Sequence, residues 1–127
     1  MALKYRLIQR VNPNLPAEPR KFYAHVVTKG EITIRELAEE IAEISTVSSV
    51  DTLAVIESFT RLIPKHLSRG VMVRLGDFGS YSIGILSQGA DTEEEFSERL
   101  IKGAKIYFRP GREVKKALSA IEFEKER

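Results

Sequence analysis

The sequence predicts an α+β fold: two helices lead into a three-stranded antiparallel sheet and a C-terminal helix, with a β-rich extension ahead of them. Three observations predict it. Apolar residues recur at helical spacing through Thr33–Ser68, alternate on both sides of a glycine-flanked turn at Gly76-Asp77-Phe78-Gly79, and return to helical spacing after Pro110. On this reading residues 1–31 form the extension, 32–121 the main domain and 122–127 a charged tail expected to fray.

In the extension, residues 2–11 alternate, with Leu3, Tyr5 and Leu7 on one side and Lys4 and Arg6 on the other, which predicts a strand. Pro13, Pro16 and Pro19 then impose a loop, because each proline fixes its own φ and pushes the residue before it out of the helical region. Lys21–Thr28, rich in aromatic and β-branched residues, predicts a second strand, with His25 in a structural role inside it. These strands need a partner.

At Thr33 the period changes. Thr33-Ile34-Arg35-Glu36 has the form of a capping box, in which the Thr hydroxyl accepts from an exposed N–H and Glu36 reaches back. Leu37, Ile41 and Ile44, flanked by Ile34 and Ala38, give the following helix one apolar stripe. Ser48 or Ser49 can cap the next helix, Val50–Ser68. Its apolar residues, Val50, Leu53, Ala54, Ile56, Phe59, Leu62, Ile63 and Leu67, spread too widely for one stripe, so it must be covered on two sides. A second subunit can supply one of them. Pro64 is expected to kink the last turns, and Gly70 to end the helix.

Val71, Val73 and Leu75 alternate into the Gly76–Gly79 turn, a hairpin signal, and the chain leaves it along Ser80–Leu86. The acidic stretch Asp91–Arg99 can be a loop, a helical turn or an arm, and Ile101–Phe108 predicts the returning strand. Pro110 suits a helix start, and Val114, Ala117, Leu118 and Ile121 give the last helix its apolar face. Phe59, Phe78, Tyr81 and Phe108 are expected in the core.

Composition narrows the function. The chain of 127 residues has no cysteine, which removes disulfides and thiolate metal sites, and its two histidines lie far apart without ligand spacing. No phosphate-binding glycine loop, metal-ligand cluster or nucleophile–base set is present, so nothing suggests an enzyme, a cofactor or a small-molecule substrate. No apolar run approaches a membrane span, and the first residues lack the uninterrupted apolar stretch of a signal peptide; a cytoplasmic protein is expected. The net charge is only +2, but it is distributed in blocks. Lys102–Lys116 is strongly basic, whereas Asp91–Glu98 is acidic.

Two motifs carry a resemblance. G-V-M-V-R-L-G-D-F-G-S-Y (Gly70–Tyr81) and F-R-P-G-R-E-V-K-K-A-L (Phe108–Leu118) are similar, in order and separation, to two segments of the bacterial histone-like proteins HU and integration host factor. The resemblance covers residues 32–121 and leaves the extension outside, an arrangement that resembles extended HU-like proteins. It implies a homodimer whose long helices intertwine under a β-saddle, and DNA held by backbone charge with arms in the minor groove. It implies a nucleoid location too. The family's arm carries arginines, lysines and a tip proline. Here Gly84–Arg99 holds Arg99 alone as a basic residue, no proline, and Asp91, Glu93, Glu94, Glu95 and Glu98, so arm contacts are not carried over.

The residues expected to touch double-stranded DNA are therefore Arg109 and Arg112 of the second motif, Lys115 and Lys116 one turn on, Lys102 and Lys105 of the returning strand, and Arg74 of the first. Phosphate contact of this kind does not depend on base sequence. The alternative is a protein-interaction or structural module that keeps the dimer scaffold with weak or lost DNA binding.

Overall fold

The computed structural model describes residues 2–127. Its elements run β1 (Leu3–Arg10), β2 (Lys21–Val26), α1 (Ile34–Ile44), α2 (Ser49–Leu67), β3 (Val73–Arg74), β4 (Gly79–Ser87), β5 (Ile101–Pro110), α3 (Arg112–Ser119) and β6 (Phe123–Lys125). A short 3-10 turn, Glu98–Leu100, lies in the acidic connection before β5. The fold is α+β. The chain divides into two compact units, one formed by the segment up to Glu31 with Ala117–Arg127, the other by Ile32–Lys116.

The first unit holds a three-stranded sheet in the order β2-β1-β6. β1 and β2 are antiparallel across the proline-rich loop, with Tyr5 opposite Val26 and Arg10 opposite Lys21. In that loop the Asn12 side chain accepts from the Asn14 N–H at 3.0 Å, a local turn that starts the reversal. The charged tail does not fray. Phe123–Lys125 pairs in parallel with Leu3–Tyr5, and the flanking N–H groups of Leu3 and Glu126 donate to the Glu122 and Tyr5 carbonyls at 2.7 and 2.8 Å. Its alternating Phe-Glu-Lys can present one apolar and one polar face, and β1 has a free edge that needs these bonds.

In the second unit α1 packs on α2. Thr33 caps α1, its hydroxyl oxygen accepting from the Glu36 N–H at 3.2 Å. The Glu36 carboxylate accepts from that same hydroxyl, at 3.2 Å, rather than from the Thr33 backbone as a full box would have it. Ser48, not Ser49, caps α2 and accepts from the Asp51 N–H at 3.1 Å. α2 runs through Pro64 to Leu67. It closes on Gly70 (φ 80°), where the N–H groups of Gly70 and Val71 donate to the Leu67 and His66 carbonyls at 2.9 and 3.1 Å, a Schellman arrangement.

Strands β3, β4 and β5 form an antiparallel sheet in that order. In the turn between β3 and β4, the Phe78 N–H donates to the Leu75 carbonyl at 3.0 Å and Gly76 takes φ 52°, a value L side chains resist. The apolar face of this sheet (Ile83, Ile85, Ala104, Ile106) and the end of α2 (Ile63, Pro64, Leu67) line a groove of about 740 Å³.

The expected core is sparse. Ala38, Thr52, Leu67 and Gly79 are the buried residues among those described. Phe59, Phe78 and Phe108, expected in the core, remain 47%, 48% and 40% exposed. On α2 Thr52 and Leu67 are buried and Leu53, Ile56 and Ile63 half-buried, while Val50, Val55, Phe59 and Leu62 are exposed. A helix apolar on two sides finds cover on only one of them within its own chain.

Candidate nucleic-acid interface

Because side chains alternate along a strand, the register of β3, β4 and β5 decides which groups share a face. Arg74 lies opposite Ser80, and Ser80 opposite Arg109, so two arginines flank one serine in a row across three strands. The next rows place Ser82 opposite Tyr107 and Gly84 opposite Lys105. All of these share one face. The other face carries Val73, Tyr81, Ile83 and Ile85 against Phe108, Ile106 and Ala104. The sheet is thus divided into a cationic, hydroxyl-bearing side and an apolar side.

Two local devices shape the cationic side. A Cβ at Gly84 would overlap the Tyr107 ring, so the glycine allows that ring to lie flat on the strand beside it. The Lys105 ammonium sits 4.8 Å from the centre of the same ring, a cation–π contact that holds the charge over the sheet. At the turn end, Arg74, Gly76, Gly79, Ser80, Arg109, Pro110 and Gly111 line an open cleft of about 200 Å³. Glycines keep its floor low and arginines supply its walls.

The two sequence motifs prove to be one junction. The Gly111 N–H donates to the Phe78 carbonyl at 2.8 Å, and the Glu113 N–H donates to the Asp77 carbonyl at 3.1 Å. The Arg112 guanidinium meets the Asp77 carboxylate at 3.0 Å. A Cβ at Gly111 would strike the Asp77 carbonyl, and one at Gly79 (φ 146°) would strike the Arg109 carbonyl and the Phe108 ring. Phe108 in turn packs against Phe78 and Tyr81, with ring centres 5.5 and 4.8 Å away. The glycines permit this approach, and the aromatics fill what remains.

The seven residues expected at a DNA surface therefore separate. Arg74, Lys105 and Arg109 share the cationic face. Arg112, at the start of α3, is engaged with Asp77, although both groups are exposed. Lys115 and Lys116 follow it one turn on along α3. Lys102 lies where the pairing of β4 and β5 shifts register between Leu86 and Ser87, and its ammonium donates to the Arg99 carbonyl at 3.5 Å. The register does not align it with the others. Tyr107, Ser80 and Ser82 were not anticipated, yet the signal was there: Lys105, Tyr107 and Arg109 share a parity in K-I-Y-F-R.

The connection from Gln88 to Ser97 carries the acidic residues in turns without strand pairing. The Gln88 N–H donates to the Leu100 carbonyl at 2.8 Å, which closes its base. No helix among the described residues is long and apolar enough to cross a membrane.

Comparison with known proteins agrees with this geometry. A family model described as an HU domain fused to wHTH, Ig, or glycine-rich motif matches residues 1–125. The fold is similar to the crystal structure of a candidate bacterial DNA-binding protein from Bacteroides vulgatus ATCC 8482, with a TM-score of 0.67 at 13% identity. That likeness covers 99% of this chain and 49% of the other, so the chain spans about half the length of its structural relative. No curated protein matches the chain.

Proposed function

The chain belongs to the family of HU domains fused to a wHTH, Ig, or glycine-rich motif, and from that premise we propose that it is a dimeric, nucleoid-associated DNA-binding protein that holds duplex DNA mainly through its phosphates. The observation that carries this reading is the row Arg74–Ser80–Arg109 with Lys105 on the same face of a sheet whose other face is apolar. Guanidinium and ammonium groups neutralise phosphates and release condensed counterions, which favours binding without reference to base sequence. Lys115 and Lys116 add charge along α3, and Arg112 contributes where its exposed pair with Asp77 opens. The acidic connection between β4 and β5 repels phosphate, so this part of the chain makes its contact through the sheet and α3 rather than through an inserted arm.

The dimer rests on uncovered surface. The outward stripe of α2 and the groove at the end of that helix are where a second copy would bury apolar area.

Binding of duplex DNA across a salt series tests the reading. Log K should fall steeply with log salt, and Arg74→Gln, Lys105→Gln and Arg109→Gln together, in both copies of the dimer, should flatten the slope by up to about 5. No binding at low salt would leave the alternative, a protein-interaction module on the same scaffold. Sedimentation should give twice the chain mass; a stable monomer would overturn the dimer.

A further inference from the structure

The first sheet carries a second cationic face that the reading above does not use. The register of β1 and β2 places Arg6 opposite His25, Ile8 opposite Tyr23 and Arg10 opposite Lys21, and alternation adds Lys4 to the same side. The opposite side carries Leu3, Tyr5 and Leu7 with Val26, Ala24 and Phe22, and Phe123 joins it from β6. The division into a charged and an apolar face repeats that of the other sheet.

Three features set the charged face apart from an ordinary solvated one. Its charge on β1 and β2 has a single sign; the acid within the sheet on this side is Glu124 of β6, beside Lys4 at one margin. Lys4, Arg6, Arg10 and Lys21 are exposed, and none of them forms an ion pair among the described residues. Arg10 and Lys21 stand directly opposite each other on neighbouring strands, an arrangement that costs stability unless an anion relieves it. Tyr23 adds a half-exposed ring next to Ile8, between the cations of the two ends.

We propose that this face of the first sheet is a second contact surface for the DNA backbone, distinct from the β3-β4-β5 face. Six residue steps at about 3.3 Å set Lys4 and Arg10 about 20 Å apart along β1. A duplex presents one charge per roughly 1.7 Å of axis, so all four cations can meet phosphates at once. Tyr23 would lie against sugar edges between them. The proposal rests on the chain being a DNA binder; what it adds is that the extension enlarges the electrostatic footprint.

The test uses the full chain and one duplex over a salt series. Lys4→Gln, Arg6→Gln, Arg10→Gln and Lys21→Gln together, in both copies of the dimer, should reduce the slope of log K against log salt by up to about 7, beyond the loss caused by the Arg74, Lys105 and Arg109 substitutions. A slope unchanged by the sheet variant overturns this proposal and leaves the DNA reading standing, whereas a wild-type chain that does not bind overturns both. Should the variant lose its β structure, acetylation rates of Lys4 and Lys21 in the wild-type chain decide the matter. Duplex DNA should slow both about fivefold or more, since a phosphate-bound amine is shielded from reagent; equal rates with and without DNA overturn the proposal. Loss of anionic-vesicle binding in the sheet variant, with its DNA slope unchanged, would identify a membrane surface instead and overturn it as well.

Discussion

The sheet β3-β4-β5 draws all its strands from Val73–Pro110, while β2-β1-β6 joins Leu3 to Phe123. Both are three-stranded, and both set cations on one face and apolar groups on the other. They differ in what fixes them. The second is locked at its turn by Gly79 and Gly111, whose missing side chains let two backbone segments touch, and by the Phe78, Tyr81 and Phe108 rings. The first has no such lock among the described residues; backbone pairing across a proline loop and a distant strand hold it. One sheet is specified by local stereochemistry, the other by which edges remain to be satisfied.

Substitutions can break this contrast. Gly79→Ala should cost the second unit about 3 kcal/mol or more, because a Cβ there meets both a carbonyl and a ring at a backbone angle L residues avoid; urea unfolding followed by tyrosine fluorescence measures it, and a loss under about 1 kcal/mol would mean the junction is loose. Removing residues 122–127 should destabilise the first sheet by about 2 kcal/mol, roughly one for each lost flanking backbone bond. It leaves a bare hairpin, which is marginal in water. Hydrogen exchange at the Leu3 and Tyr5 amides would report it, with unchanged protection counting against β6.

Smaller effects sharpen the picture. Gly84→Ala should cost about 1.5 kcal/mol as Tyr107 is lifted off the strand, and DNA affinity should drop with it if the Lys105–Tyr107 stack matters. Thr33→Ala removes the α1 cap for about 1 kcal/mol, visible in thermal melts without change in DNA binding. Asp77→Asn should cost under about 0.5 kcal/mol, since both partners of its ion pair are exposed. It would also free Arg112, so DNA binding should strengthen slightly; weaker binding would show that the pair positions the arginine instead.

What was legible in the sequence follows the same line. Thr33, Ser48, Gly70 and the Gly76–Gly79 turn act within a few residues of themselves, and each sits where local rules put it. The sharing of one face by Arg74, Ser80 and Arg109 is a matter of register, set by pairing across strands, and charge counting alone could not reveal it. Charge alone groups Lys102 with that cluster, although it lies three residues from Lys105 and simple alternation already sets the two on opposite faces. Strand β6 was missed for a different reason: it has a single apolar residue, and its partner lies at the far end of the chain. The aromatics expected in the core illustrate a further limit, since hydrophobicity tells that a residue gains from cover but not whether its own chain provides it.

The parallel pairing of Leu3 with Phe123 also imposes a timetable on synthesis. β1 and β2 emerge first, yet their sheet cannot close until β6 has left the ribosome, on the order of ten seconds later at typical elongation rates. The β3-β4-β5 sheet needs only the turn into α3, through Glu113, and can assemble without β6. Released chains truncated before Phe123 should therefore protect β4 and β5 from exchange while leaving the unpaired edge of β1 open, a state in which that edge can capture a neighbouring chain.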